Sequence, residues 1–301
     1  MGAPVVAFVL AFCLVHQAIA QPSKGAFVVP YSGTLKKINE SGLFRIGYRE
    51  NSPPFAFLDP EGKPVGYSLD LCEVVVEEII SELGKAIRVE YRAVTPENRF
   101  ELLSSGAIDL ECGSTTNNFE RRKIAAFSPT MFVTGTKLLV RRGSGIRYFG
   151  DLQGKTVVLT RGTVQAQAIP RLAERRRLAV KFVTAPDHRQ SFELLAAGKA
   201  DAFANDDVQL YGMLAETKSA SDYRVVGDFL TYADYALMLR KDDPEFAEVV
   251  ERAFARLAAS REIVAIYEKW FLKPLPSGLR LNLPMSPHLE ELFRVQGLPA
   301  D

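Results

Sequence analysis

One structural unit is written twice in this chain. "FELLSSGAIDL", Phe100 to Leu110, returns as "FELLAAGKADAF", Phe192 to Phe203. Each copy reads as a helix closed by glycine and followed by an apolar strand. Such a unit needs a sheet to lie on, and two copies far apart call for two lobes of like construction. The flanking sequence keeps the same rhythm, with short β-rich runs alternating with helical ones from Leu43 onward. "LFRIGYRE" reads as the first strand and "DPEGKPVGY" as a turn-rich connection. Ser68 is expected to cap a helix whose Leu71, Val75, Val76, Ile79, Ile80 and Leu83 fall at helical spacing before Gly84. "IRVEYRAV" is a strand, Thr95 a cap for a helix from Glu97 to Ser104, and Gly106 its stop before the strand "AIDLE".

Between the copies, "FVTGTKLLVRRG" reads as a strand that leaves the first lobe for the second, and "TYADYALMLRKDD" as one that returns. Two extended crossings would make a hinge. Two amphipathic helices, Pro244 to Ala258 and Glu262 to Phe271, are expected to pack on the first lobe. The organisation expected is a first lobe from residues 31–135 and 234–275, a second from 136–233, and a proline-punctuated tail, 276–301, wrapped over the surface with one short helix.

An apolar fraction of 47% with 24% charged residues is that of a globular protein, and 301 residues suffice for two lobes. A formal charge of +1 provides no basic excess for nucleic acid, so any positive site must be a local cluster of arginines. The start, residues 1–20, reads as a signal peptide: an apolar run from Val5 to Val15, then Ala18-Ile19-Ala20, with the mature chain beginning at Gln21. No Lys or Arg precedes that run, which departs from the usual pattern, and Phe12 before Cys13 argues against a lipid anchor. The run is too short for the ~20 residues that span a bilayer. Cleavage would leave Cys72 and Cys112, which fit either one disulfide or two inert core thiols; the reading leans to thiols. With His188 and His288 the only mature histidines, and no P-loop or dinucleotide fingerprint, no cofactor and no metal are expected.

The stretch "GSTTNNFERR" concentrates polar groups. If Asn117 or Asn118 caps a helix holding Arg121 and Arg122, the hydroxyls of Ser114, Thr115 and Thr116 gather at its start. A guanidinium one turn in can reach back to a carboxylate with two parallel bonds. The plainer reading is a solvated helix start with ordinary capping residues.

With "GYRENSPPFAF", "VGYSLDLC", "TPENR", "ECGSTTNNFERRKIAAFS", "DLQGKTVVLTRGT" and "DHRQSFELLAAGKADAFANDD" in order, the chain resembles the extracellular amino-acid-binding proteins of ABC transporters, and among them the glutamate/aspartate-binding group. The resemblance implies an α/β, two-lobed periplasmic-binding-protein-like fold (type II), with the ligand in the cleft between lobes joined by two crossing strands. It implies a periplasmic, non-enzymatic monomer that binds L-glutamate or L-aspartate and delivers it to a membrane permease. Arg121, Ser114 and Thr116 match the α-carboxylate role, Thr163 adds a second-lobe hydroxyl and N–H, and Asp206 matches the acceptor of the ammonium. Arg49, Arg99 and His188 match the pocket for a second carboxylate. Clustered guanidiniums are unfavourable unless an anion compensates them, so the empty cleft should be open and the filled one shut. Phe55 or Phe57 would serve as an apolar wall, or simply as core.

Two positions depart from the group. Pro96 stands where a Ser is usual, and Val164 follows Thr163 where a second hydroxyl is frequent. Two rival readings have concrete content. A dehydratase on the same fold would use His188 or Asp206 for proton transfer, and a sensor would bind the same ligand and signal to a separate receptor.

Overall fold

The computed structural model describes residues 1–2, 30–217 and 219–300. The expected signal peptide and Cys13 lie, apart from residues 1–2, outside the described residues. The chain divides into Met1–Pro30 and Tyr31–Asp301, and all that follows concerns the second unit.

The first lobe opens with α1 (Gly33–Ser41) and β1 (Leu43–Tyr48), followed by a small sheet of β2 (Asn51–Ser52), β3 (Ala56–Leu58) and β4 (Pro64–Val65). Then come α2 (Tyr67–Leu83), β5 (Arg88–Ala93), α3 (Arg99–Ser104), β6 (Leu110–Thr116), α4 (Phe119–Arg122) and β7 (Ala125–Phe127). β8 (Phe132–Arg141) leaves for the second lobe, which holds β9 (Thr156–Thr160), α5 (Gln165–Arg175), β10 (Lys181–Ala185), α6 (His188–Ala196), β11 (Ala202–Asp206), α7 (Asp207–Ala215) and β12 (Tyr223–Val226). β13 (Tyr232–Arg240) returns, followed by α8 (Pro244–Ala259), α9 (Glu262–Phe271) and α10 (Pro287–Val295).

The strand order β10-β9-β11-β8-β13-β6-β1-β5 places the crossing strands at the centre. In the first lobe β1 pairs in parallel with β5 and β6; in the second β9 pairs in parallel with β10 and β11. β8 is shared: Phe132–Gly135 pair antiparallel with β13, and Thr136–Val140 pair antiparallel with β11. Each lobe is therefore a parallel sheet bounded by an antiparallel crossing strand, with helices over its faces.

The two repeated units take up matching places. α3 leads through Gly106 (φ 73°) into β6, and α6 leads through Gly198 (φ 69°) into β11. The left-handed turn that each glycine adopts is costly for a residue with a side chain. Both strands run to the cleft. The pairing of β6 with β13 slips between Ala236 and Met238, opposite residues 112–114, a bulge that redirects the strand as it delivers Ser114.

An aromatic cluster anchors the returning helices. Tyr267 and Phe271 of α9 stack with each other at 4.4 Å between ring centroids, and Phe271 stacks on Phe132 of β8 at 4.8 Å. Phe55 meets Phe132 edge-on at 5.1 Å. Such pairs contribute about 0.5–1.5 kcal/mol each beyond the area they bury. Phe55 and Phe57 are both core residues of the first lobe.

Three local expectations are corrected. Ser68 is not the cap of α2: the helix starts at Tyr67 behind Gly66, and the Ser68 hydroxyl donates to the Gly113 carbonyl at 2.8 Å. Thr95 does not cap α3, which begins at Arg99; Thr95 and Asn98 instead bond each other reciprocally, at 2.8 and 3.2 Å. The cysteines are not thiols. Cys72 of α2 and Cys112 of β6 form a disulfide with Cα atoms 6.4 Å apart, because α2 packs directly on β6. No helix among the described residues is long and apolar enough to cross a membrane.

Candidate ligand site between the lobes

β6 continues past the predicted "AIDLE" into Thr116, so the hydroxyls of Ser114, Thr115 and Thr116 sit on a strand end rather than at a helix start. Asn118 is the cap: its side-chain oxygen accepts from the Arg121 N–H at 2.9 Å. The helix it caps, α4, is a single turn. Anion binding here rests on the strand hydroxyls and the guanidinium more than on a helix dipole. Arg121 turns back from α4, donating from Nη1 to the Thr116 carbonyl at 3.0 Å and from Nη2 to the second-lobe Gly162 carbonyl at 3.3 Å. Arg122 faces away and bonds Asn117 at 2.7 Å.

The lobes meet at two close backbone contacts. A Cβ on Gly162 would lie 2.5 Å from the Pro96 carbonyl carbon, and one on Gly212 of α7 2.1 Å from the Pro53 carbonyl oxygen. Arg161 and Glu97 add an exposed ion pair at 3.3 Å across the same seam, of a kind that stabilises little. Beside these contacts lies a small, tightly filled polar cavity. All eight predicted site residues, Arg49, Arg99, Ser114, Thr116, Arg121, Thr163, His188 and Asp206, line it, together with Val164, Gln165, Asn205 and Tyr235. Pro96 is absent from the lining; it serves as the surface against which Gly162 closes.

The first-lobe wall is crowded with positive charge. Burial, and then the neighbouring Arg99, lower the pKa of Arg49 to about 9; the same two causes lower Arg121 to about 9. Arg99 is also lowered, chiefly by burial. All three stay protonated at neutral pH, but the direction of each shift records the cost of holding them together out of water. Partial compensation comes from Glu111, which sequence reasoning missed. It is fully buried, 4.0 Å from the Arg99 guanidinium, and its Oε2 accepts from the Thr115 hydroxyl at 2.5 Å. A carboxylate inside a buried strand is itself a sequence signal, because a buried charge requires a partner.

The second-lobe wall is a bonded network. Asp206, at the end of β11, accepts from the Tyr235 hydroxyl at 2.5 Å and the Thr136 hydroxyl at 3.1 Å, so both crossing strands hold it. Burial raises its pKa, and the bonds from Tyr235, Gln165 and Thr136 oppose that rise. His188 opens α6; its Nδ1 lies 2.9 Å from the Thr160 hydroxyl and 3.4 Å from the Asn205 amide nitrogen. Burial, with Arg49 and Arg99 nearby, pushes its pKa well below the usual value and keeps the imidazole neutral. Thr163 differs from expectation: its hydroxyl donates to the Thr160 carbonyl at 2.6 Å and accepts from the Ala166 N–H at 3.3 Å. What it presents to the cavity is the N-terminal end of α5, ahead of the Ala166 amide that Thr163 itself caps.

Fold and site together define a two-lobed binding protein with a polar cavity between the lobes. Residues 44–273 match the bacterial extracellular solute-binding proteins, family 3, and the chain belongs to that family. It is 43% identical over 265 residues to the L-glutamate/L-aspartate-binding protein of Pseudomonas aeruginosa, covering 87% of this chain and 88% of that protein. It is 40% identical over 263 residues to the glutamate/aspartate import solute-binding protein of Escherichia coli K12, covering 87% of each. Among solved structures, an ancestral arginine-binding protein bound to arginine superposes with a TM-score of 0.69 at 27% identity, covering 76% of this chain and 98% of that one. The two-lobed fold of the amino-acid-binding proteins is thus found in both sequence and structure.

Proposed function

We propose that this chain is the periplasmic solute-binding component of an amino-acid ABC transporter, closing on L-glutamate or L-aspartate and delivering it to a membrane permease. The observation that carries this reading is the charge of the cavity. Three guanidiniums, Arg49, Arg99 and Arg121, stand against two carboxylates, Glu111 and Asp206, with His188 neutral. Guanidiniums outnumber carboxylates at the site, and the excess is positive. An acidic amino acid, with two carboxylates and one ammonium, cancels it; glutamine or asparagine does not. In a site of low dielectric that residual charge discriminates strongly.

The poles are separated in the sense that such a ligand requires. Arg121, Ser114, Thr116 and the amides at the start of α5 take the α-carboxylate. Asp206 takes the ammonium from the opposite lobe, and Arg49, Arg99 and His188 take the distal carboxylate. Each lobe holds part of one ligand, so binding favours the closed arrangement over the open one. The lobes divide near residues 135/136 and 233/234, and residues 1–20 act as the export signal. The protein works as a monomer and no bond is made or broken. The relatives named above for glutamate and aspartate support this reading.

The test is calorimetric titration of protein unfolded and refolded to strip carried-over ligand, with glutamate, aspartate, glutamine and asparagine. Tight binding of either acid, with the amides at least ~100-fold weaker (~2.7 kcal/mol), is expected. Equal binding of acids and amides would overturn the acidic specificity, and consumption of ligand on long incubation would overturn the transport reading.

A further inference from the structure

Arg99, Thr115 and Glu111 form a chain of three buried groups, each at most 2% exposed. Arg99 Nη1 donates to the Thr115 hydroxyl at 2.6 Å, and that hydroxyl donates to Glu111 Oε2 at 2.5 Å. The guanidinium and carboxylate are thereby held 4.0 Å apart, outside direct hydrogen-bonding distance. Both ends are left incomplete: Arg99 Nε and Glu111 Oε1 are buried without a hydrogen-bond partner among the described residues. Such atoms cost about 1–3 kcal/mol each, more when charged. The Thr115 hydroxyl stands between Arg99 Nη1 and the Glu111 carboxylate, where a direct ion pair would otherwise close. Gly113 belongs to the same arrangement, since a Cβ there would fall 2.3 Å from Glu111 Oε1 and 2.9 Å from Arg49 Cγ. The strand has been kept bare where the carboxylate comes beside the arginines.

We propose that Thr115 and Glu111 are positioning residues that set the preference for an acidic over an amide ligand, by holding Arg99 short of a complete internal ion pair. Arg99 then keeps unused donor capacity that only a second carboxylate fully engages. The neutral carbonyl of an amide ligand supplies an acceptor without the charge. Neither positioning residue lines the cavity. Their effect passes through Arg99.

This inference rests on the acidic-ligand reading, and one experiment separates the two. Wild type, Thr115→Val and Thr115→Ser are titrated with glutamate and with glutamine, with thermal melting to confirm folding; Thr115→Ala replaces the valine variant if that does not fold. Thr115→Val removes the hydroxyl at nearly constant volume and lets Arg99 collapse onto Glu111. Glutamate binding should weaken at least about tenfold, as for the loss of one charge-assisted contact, with glutamine changing less than about threefold. Thr115→Ser should restore glutamate binding to within about threefold of wild type. Equal weakening of both ligands, unchanged glutamate binding, or no rescue by serine overturns the proposal. A wild type that binds both ligands alike overturns the acidic-ligand reading instead, and this inference with it.

Discussion

The α3–β6 unit of the first lobe and the α6–β11 unit of the second share a construction and differ in electrostatics. In both, the first helical residue projects to the cleft and the strand ends there: Arg99 and Ser114–Thr116 in one, His188 and Asp206 in the other. The first unit buries a permanent cation beside a carboxylate and leaves an atom of each unpaired. The second buries a base that burial keeps neutral and a carboxylate that Tyr235 and Thr136 satisfy. One backbone plan thus yields a wall with unpaired cationic donors and a wall whose carboxylate already accepts a hydroxyl on each oxygen. A repeated architecture fixes where side chains arrive, and residue identity decides what each wall asks of a ligand.

The comparison breaks most severely at Arg121, the residue that donates to both lobes. Arg121→Ala should cost about 2–5 kcal/mol of binding, roughly 30- to several-thousand-fold, for acid and amide ligands alike, because both present an α-carboxylate. Titration calorimetry reads this, and a loss confined to glutamate would move Arg121 to the distal pocket.

Keeping the two walls apart is the next largest effect. Gly212 lies inside α7, where alanine is the better helix former by about 1 kcal/mol, yet its Cβ would enter the Pro53 carbonyl. Gly212→Ala should leave the unliganded melting temperature unchanged or higher while weakening glutamate binding at least ~100-fold, about 2.7 kcal/mol. Small-angle scattering that still shows ligand-induced compaction would contradict the assignment of this contact to closure.

Arg99→Ala sharpens the contrast within the first wall. Glutamate should lose about 2–3 kcal/mol and glutamine under about 1 kcal/mol, since only the former offers a distal charge. Equal losses would remove Arg99 from the distal pocket.

The second wall is tested by pH. The folded-state pKa of His188 lies well below its unfolded value, so the unfolded chain takes up a proton that the folded one refuses. Stability is full above the unfolded pKa and falls as pH drops below about 6.5, by up to ~1.4 kcal/mol per pH unit from this group until its folded pKa is reached. Denaturant unfolding of ligand-free protein between pH 7 and 5, compared with His188→Gln, isolates the slope; identical slopes would mean that the imidazole is not held neutral. The smallest effect is expected at Val164→Thr, which returns a hydroxyl to the cavity rim and should change the glutamate constant by no more than about threefold.

The alternation of strands and helices, both crossing strands and the two helices after β13 were legible because each carries its own periodicity and stop signals, as in Pro244 to Phe271. The eight residues expected at the site do line one cavity, and the resemblance carried by "ECGSTTNNFERRK" and "DHRQSFELLAAGKADAFANDD" selected them. Local pattern did less well at caps, where Ser68 and Thr95 offered plausible hydroxyls that the chain uses elsewhere. It also placed the Ser114–Thr116 hydroxyls on a helix start when they finish a strand.

By itself, then, the sequence determined the kind of layers, the repeated unit and the types of charge available, since these depend on neighbours a few residues apart. Tertiary structure decided the rest. Cys72 meets Cys112 only because α2 lies on β6, and Asp206 is held only because two strands from opposite directions bring Tyr235 and Thr136 to it. Glu111 becomes the counter-charge of an arginine cluster only when α3, β1 and β6 converge. Pairing of buried polar groups is a property of distance in space, which periodicity along a chain does not encode.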